Sequence, residues 1–176
     1  MRLILKHIIL HHSKSSTGDI VSLTGDYNRR GSPQQPYFKL FLNGRLRGRD
    51  YEPSFDGIGV PGRVWDFANY FLSEADYLAH EKVNGGYKNA AALCLVGSIF
   101  KEYTFKQLLN VILECKAVLI RFELSVDAIL GHYECSKAQE DANCPDLDMG
   151  AFRQAVGGAL QINNESILMA ALKPKR

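Results

Sequence analysis

A 176-residue chain that is 46% hydrophobic and 23% charged has the make-up of a folded globular domain with one core and excludes a disordered chain. Its formal net charge of +2 gives no ground for a nucleic-acid partner, although it is compatible with a polyanionic surface such as a cell wall. No run approaches the roughly 20 apolar residues that cross a bilayer, so no membrane insertion is expected.

The start of the chain lacks the sustained apolar core and small-residue cleavage site of a signal peptide. The expectation is a monomer made in the cytoplasm that acts there or leaves by a route it does not itself encode. In that setting Cys94, Cys115, Cys135 and Cys144 are expected as thiols or metal thiolates rather than disulfides.

In chain order, residues 2–10 read as a nearly continuous apolar strand of the kind buried on both faces, ending in His11-His12-Ser13. A short helix is expected at 19–28, inside the polar stretch 14–36. Tyr37–Leu42 and Arg45–Arg49 flank Asn43-Gly44, a pair suited to a type I′ turn, so a hairpin is expected there. Residues 50–62 read as loop. Val64, Phe67, Ala68, Phe71, Leu72, Ala75 and Leu78 recur at helical spacing over 63–79. Residues 50–79 together read as an insertion or lid.

After a break at Asn84-Gly85-Gly86, Ala90–Val96 is a second buried strand. Thr104-Phe105-Lys106-Gln107 has the capping-box pattern, in which each end's side chain satisfies a free backbone N–H of the other. The helix it opens carries Leu108, Leu109, Ile112, Cys115 and Leu119 on one face. A short apolar stretch ends at Leu130-Gly131-His132, a polar loop covers 133–147, and Asp148 caps a final helix through about Leu160. Residues 161–176 form a C-terminal extension, read as solvated. The alternation predicts a single α/β domain over 1–176, with a central mixed sheet flanked by helices.

Metal donors stand at the ends of these elements. Catalytic zinc keeps three protein ligands and an open position, and rigid scaffolds present reactive groups at strand ends and adjoining loops. His11 ends the first strand, His132 follows an apolar segment, and Cys144 lies twelve residues further on. Spacing alone does not choose between Cys144 and Cys135, which is only three residues from His132. His12 points to the opposite face from His11 because strand side chains alternate. His7 shares the His11 face but sits two pleats away.

Several segments, in order, carry a family resemblance: Ile9-Leu10-His11-His12-Ser13; Tyr37-Phe38 with a strand ending in Gly48-Arg49; Ala79-His80 followed by Gly86-Tyr87-Lys88-Asn89 and Leu93-Cys94-Leu95-Val96-Gly97; Leu130-Gly131-His132; and Cys144-Pro145-Asp146-Leu147-Asp148. Together, over Ile8 to Leu160, they are similar to the type 2 N-acetylmuramoyl-L-alanine amidases, which include phage amidase-type lysozymes and the peptidoglycan recognition proteins.

The resemblance implies zinc held by His11, His132 and Cys144, and hydrolysis of the amide between N-acetylmuramic acid and L-alanine in peptidoglycan or muropeptides, as in a phage lytic enzyme. It implies a catalytic role for Tyr37 and substrate contacts for His80 and Asn89. It favours Cys144 over Cys135 through the following Pro and Asp. Two departures stand out. Ala142 occupies the position of a catalytic lysine in phage relatives, and Cys94 that of a glutamate in wall-recycling relatives. Glu134, Lys137, Glu140 and Asp141 are candidate replacements. A peptidoglycan-binding module without catalysis is the alternative.

Overall fold

The computed structural model describes residues 5–13, 39–47, 50–61, 90–97, 103–135 and 143–174. The helices expected at 19–28 and 63–79 and the break at 84–86 lie outside these.

The apolar run near the start forms β1, His7–His12, with His11 and His12 inside the strand. It lies between β4 (Ala90–Leu95) and β5 (Ile129–Gly131), parallel to each. β4 in turn pairs parallel with β2 (Lys39–Arg47), whose other edge pairs antiparallel with β3 (Asp50–Pro61). The five-stranded order is β3-β2-β4-β1-β5. This is a mixed sheet with one antiparallel edge.

The hairpin expected about Asn43-Gly44 is corrected. Those two residues run inside β2, and residues 50–61, expected as loop, are the antiparallel partner. The β2–β3 register shifts on either side of Asn43. An Asn-Gly pair meets the backbone needs of a tight turn, but a glycine inside a strand also marks a bulge. Pairing along a twelve-residue partner outweighs the local turn preference here. The first part of the 50–79 segment is thus a sheet strand, while 62–79 lies outside the described residues.

Register assigns the two faces of the sheet. Ile8 pairs with Ala91 and Ile129, and Leu10 with Leu93 and Gly131. Their side chains share one face and join a single core cluster with Leu108, Val111, Ile112, Cys115 and Val118. These five come from α1, Phe105–Phe122, the helix expected after Thr104. The opposite face carries Ile9, His11, Ala92 and Cys94, and these too are buried. Burial on both faces is what an unbroken apolar strand requires.

α1 begins with the expected capping box. Gln107 N–H donates to Thr104 Oγ1 at 3.1 Å, and Thr104 N–H donates to Gln107 Oε1 at 3.0 Å. The amide of fully buried Gln107 also donates to the carbonyls of Phe41 and Val96, both at 2.8 Å. One side chain thereby ties the helix start to β2 and to the end of β4. The helix closes on Glu123, held in the left-handed region at φ 53°.

A 3₁₀ turn (Val126–Ala128) leads into β5. It is followed by a single helical turn, α2 (His132–Cys135), where loop was expected, and by α3 (Met149–Val156) and α4 (Glu165–Ala171). Asp148 caps α3 as expected, accepting from Ala151 N–H at 2.9 Å, although the helix stops at Val156 and Gly157, short of Leu160. The expectation of a solvated tail from residue 161 is corrected at its helix, although most residues from 161 to 174 are exposed. α4 places Leu168 in the core, and Leu172, just beyond its end, is also in the core, its C=O accepting from Asp148 N–H at 3.1 Å. Among the described residues no helix is long and apolar enough to cross a membrane.

Candidate metal centre

Parallel strands bring their carboxyl ends to one edge of a sheet, the usual place for ligands in open α/β folds. His11 lies near that end of β1, and His132 immediately follows the end of β5. The two imidazole rings stand 4.3 Å apart between centroids, tilted by 47°. The Cys144 turn completes the group. One donor atom each from His11, His132 and Cys144 lies within 4.8 Å of the other two. His11 and Cys144 are buried and His132 is half-buried.

Backbone contacts seat the third donor. Tyr133 N–H donates to Cys144 C=O at 2.8 Å, joining the two donor-bearing segments directly. His12 N–H donates to Cys144 Sγ at 3.4 Å. An N–H aimed at sulfur favours the thiolate, the form that binds metal. Buried Tyr103 adds a further tether, its hydroxyl donating to Pro145 C=O. The Tyr103 phenol is pushed well up, first by burial and then by Cys144, Cys94 and Asp146 nearby, so it remains a neutral donor. Just beyond the carboxyl end of β1, Ser13 Oγ accepts from Gly97 N–H at 3.1 Å, fastening the end of β1 to the end of β4.

Two imidazoles and one thiol suit zinc by donor chemistry, and three protein donors leave one position open. Cys135, the other thiol weighed as third donor, stands outside this group. Its Sγ–H donates to Gly131 C=O at 3.6 Å, and burial followed by the Glu134 charge pushes the thiol up to about 12. His12 and His7 are likewise outside the group. Tyr37, His80, Asn89, Ala142, Lys137, Glu140 and Asp141 lie outside the described residues.

Cys94 pairs with His11 across the β1–β4 register, on the same sheet face, and its thiol donates to Leu95 C=O at 3.7 Å. Glu134 is committed elsewhere. Burial raises its carboxyl, but the Arg153 guanidinium and the Gly131 N–H outweigh that and hold it lowered.

Sequence reasoning missed Tyr103 and Arg153. Tyr103 precedes the α1 cap, where an aromatic residue reads as the outer half of a hydrophobic staple. Its polar partner is 42 residues away and leaves no local signal. Arg153 sits in the polar part of the α3 pattern, like any solvated helix charge.

No protein-family model and no curated protein sequence matches the chain. Solved structures do. The chain is similar to the N-acetylmuramoyl-L-alanine amidase LysC from Clostridium intestinale URNW, at a TM-score of 0.55 and 15% identity, covering 82% of this chain and 78% of that one. It is similar to PlyL at 0.56 and 12% identity, covering 88% and 85%. A chain of the peptidoglycan recognition protein LCa–LCx ectodomain complex with tracheal cytotoxin matches at 0.50 and 13% identity, covering 82% and 78%. The fold expected from the sequence, a single α/β domain of the amidase and peptidoglycan-recognition type, is the fold found.

Proposed function

We propose that the protein is a zinc-dependent N-acetylmuramoyl-L-alanine amidase that cleaves peptidoglycan or its muropeptide fragments. The observation that carries this reading is the convergence of His11, His132 and Cys144 donors within 4.8 Å at the carboxyl edge of a sheet whose fold is shared with LysC. A resemblance to the peptidoglycan recognition ectodomains, one of which is seen with tracheal cytotoxin, supports the same substrate class.

Zinc bound by this set supplies Lewis-acid polarisation of the scissile carbonyl and a water acidic enough to attack at neutral pH. The rest falls to the chain. His11 and His132 would offer ring nitrogens to the zinc, and the His12 N–H donates to Cys144 Sγ, a bond that favours the thiolate over the thiol. His11 and Cys144 are themselves buried, and charge interactions strengthen where water is excluded. Tyr37 is assigned the donor to the oxyanion of the tetrahedral intermediate, the role that most lowers an acyl-transfer barrier. His80 and Asn89 are assigned substrate contacts. Glu134 is not assigned the helper role, because Arg153 and Gly131 occupy both its oxygens.

The test is digestion of purified sacculi by the zinc-loaded protein. New amino-terminal alanine without new reducing sugar ends is the expected result. Wall binding with no release would instead make the chain a binding module, and reducing ends would make it a glycosidase.

A further inference from the structure

Glu134 and Arg153 form a two-pronged ion pair, Nη2 to Oε1 at 2.7 Å and Nη1 to Oε2 at 3.0 Å, each side chain about a quarter exposed. Each partner also grips the backbone of β5. Gly131 N–H donates to Glu134 Oε2 at 2.7 Å, and Arg153 Nη1 donates to Ile129 C=O at 2.7 Å. The pair thus holds both ends of the three-residue strand that delivers His132. Arg153 belongs to α3, whose cap Asp148 lies four residues beyond Cys144. The four-residue α2 is too short to fix its own direction, since a single helical turn is not self-sustaining. This pair and the Tyr133-to-Cys144 backbone bond are two of the contacts that hold the His132 segment against the Cys144 segment.

The geometry points to Glu134 and Arg153 as positioning residues of the metal centre, setting the separation between the His132 and Cys144 donors. The inference rests on the metal-centre reading above. Neither residue touches substrate in this account; both act through the backbone on either side of the ligands. The planar guanidinium is matched to the task, because its fork meets a carboxylate and a carbonyl at once, which an ammonium cannot reproduce.

The test is cobalt(II) titration of the full chain, followed by its visible d–d absorption. The wild-type protein is expected to bind one equivalent with the band of a tetrahedral, sulfur-ligated ion. Arg153→Met should bind cobalt at least tenfold more weakly, the usual scale for lost outer-shell support, with a displaced band. Arg153→Lys should recover part of the affinity. If Arg153→Met does not fold, Glu134→Gln, which retains the shape and an acceptor for Gly131 N–H, gives the same two readouts. A purely structural pair would lower the unfolding midpoint of the metal-free protein but leave cobalt affinity and band at their wild-type values. That result overturns the proposal while sparing the metal centre. Failure of the wild type to bind cobalt overturns both.

Discussion

Of the two thiols near His132, the one further away in sequence faces the imidazoles. Cys144 Sγ shares the donor group with His11 and His132, whereas Cys135 spends its proton on Gly131 C=O and is held protonated by burial. Cys144→Ser is therefore expected to abolish stoichiometric zinc, and Cys135→Ser to retain one zinc per chain, as read by metal analysis after gel filtration. Tyr103→Phe removes the hydroxyl that anchors Pro145 beside Cys144. It is expected to destabilise the fold by about 1–3 kcal/mol, the cost of a buried carbonyl left unmatched, seen as a lower denaturant midpoint. At this scale the sequence was partly readable. Motif context singled out His11, His132 and Cys144, because donors at strand ends keep local neighbours. It could not find Tyr103 or Arg153, whose partners are brought by the fold from 42 and 19 residues away.

Elements position the centre through a few buried polar joints and one crowded glycine. Gln107→Leu removes the donor to Val96 C=O and one of the two donors to Phe41 C=O, which still accepts from Val96 N–H, and breaks the capping box. A loss of about 1–3 kcal/mol is expected from equilibrium urea unfolding, as one buried acceptor loses its side-chain donor and the cap is weakened. Gly131 is the last residue of β5, next to His132, where an added Cβ would lie 3.0 Å from both Met149 Cγ and Tyr133 Cε1 and 3.1 Å from Pro145 Cδ. Methionine can yield, but the tyrosine ring and the proline flank the two donor-bearing segments. Gly131→Ala is expected to cost about 1–3 kcal/mol of overpacking and to weaken zinc, both measurable on one preparation. Glycine at this position therefore answers close packing, with no special backbone angle required. α1 was legible because its cap and apolar face are written within eighteen residues. The β2–β3 pair was not, because Asn43-Gly44 is a strong local turn signal and only cross-strand pairing reveals that the chain passes straight through it.

For the whole molecule, order along the chain and burial on both sheet faces made the architecture readable. An apolar strand, a second one after it and a capped helix between sheet strands already imply a helix-covered, largely parallel sheet. The C-terminal segment was harder, since α4 buries only Leu168, with Leu172 just beyond its end, and so has little periodic signal. Because the donors come from β1, from the end of β5 and from the turn before α3, a bound metal cross-links segments more than 130 residues apart. Zinc at a hundred times its Kd is expected to add about 2.7 kcal/mol, and a chelator to remove it, lowering the melting temperature reversibly. The most direct measurement is X-ray absorption at the zinc edge of the loaded protein. The account predicts two imidazole nitrogens and a single sulfur at about 2.3 Å, with the sulfur lost in Cys144→Ser and kept in Cys135→Ser. A coordination shell without sulfur, or one whose sulfur survives Cys144→Ser, would contradict it.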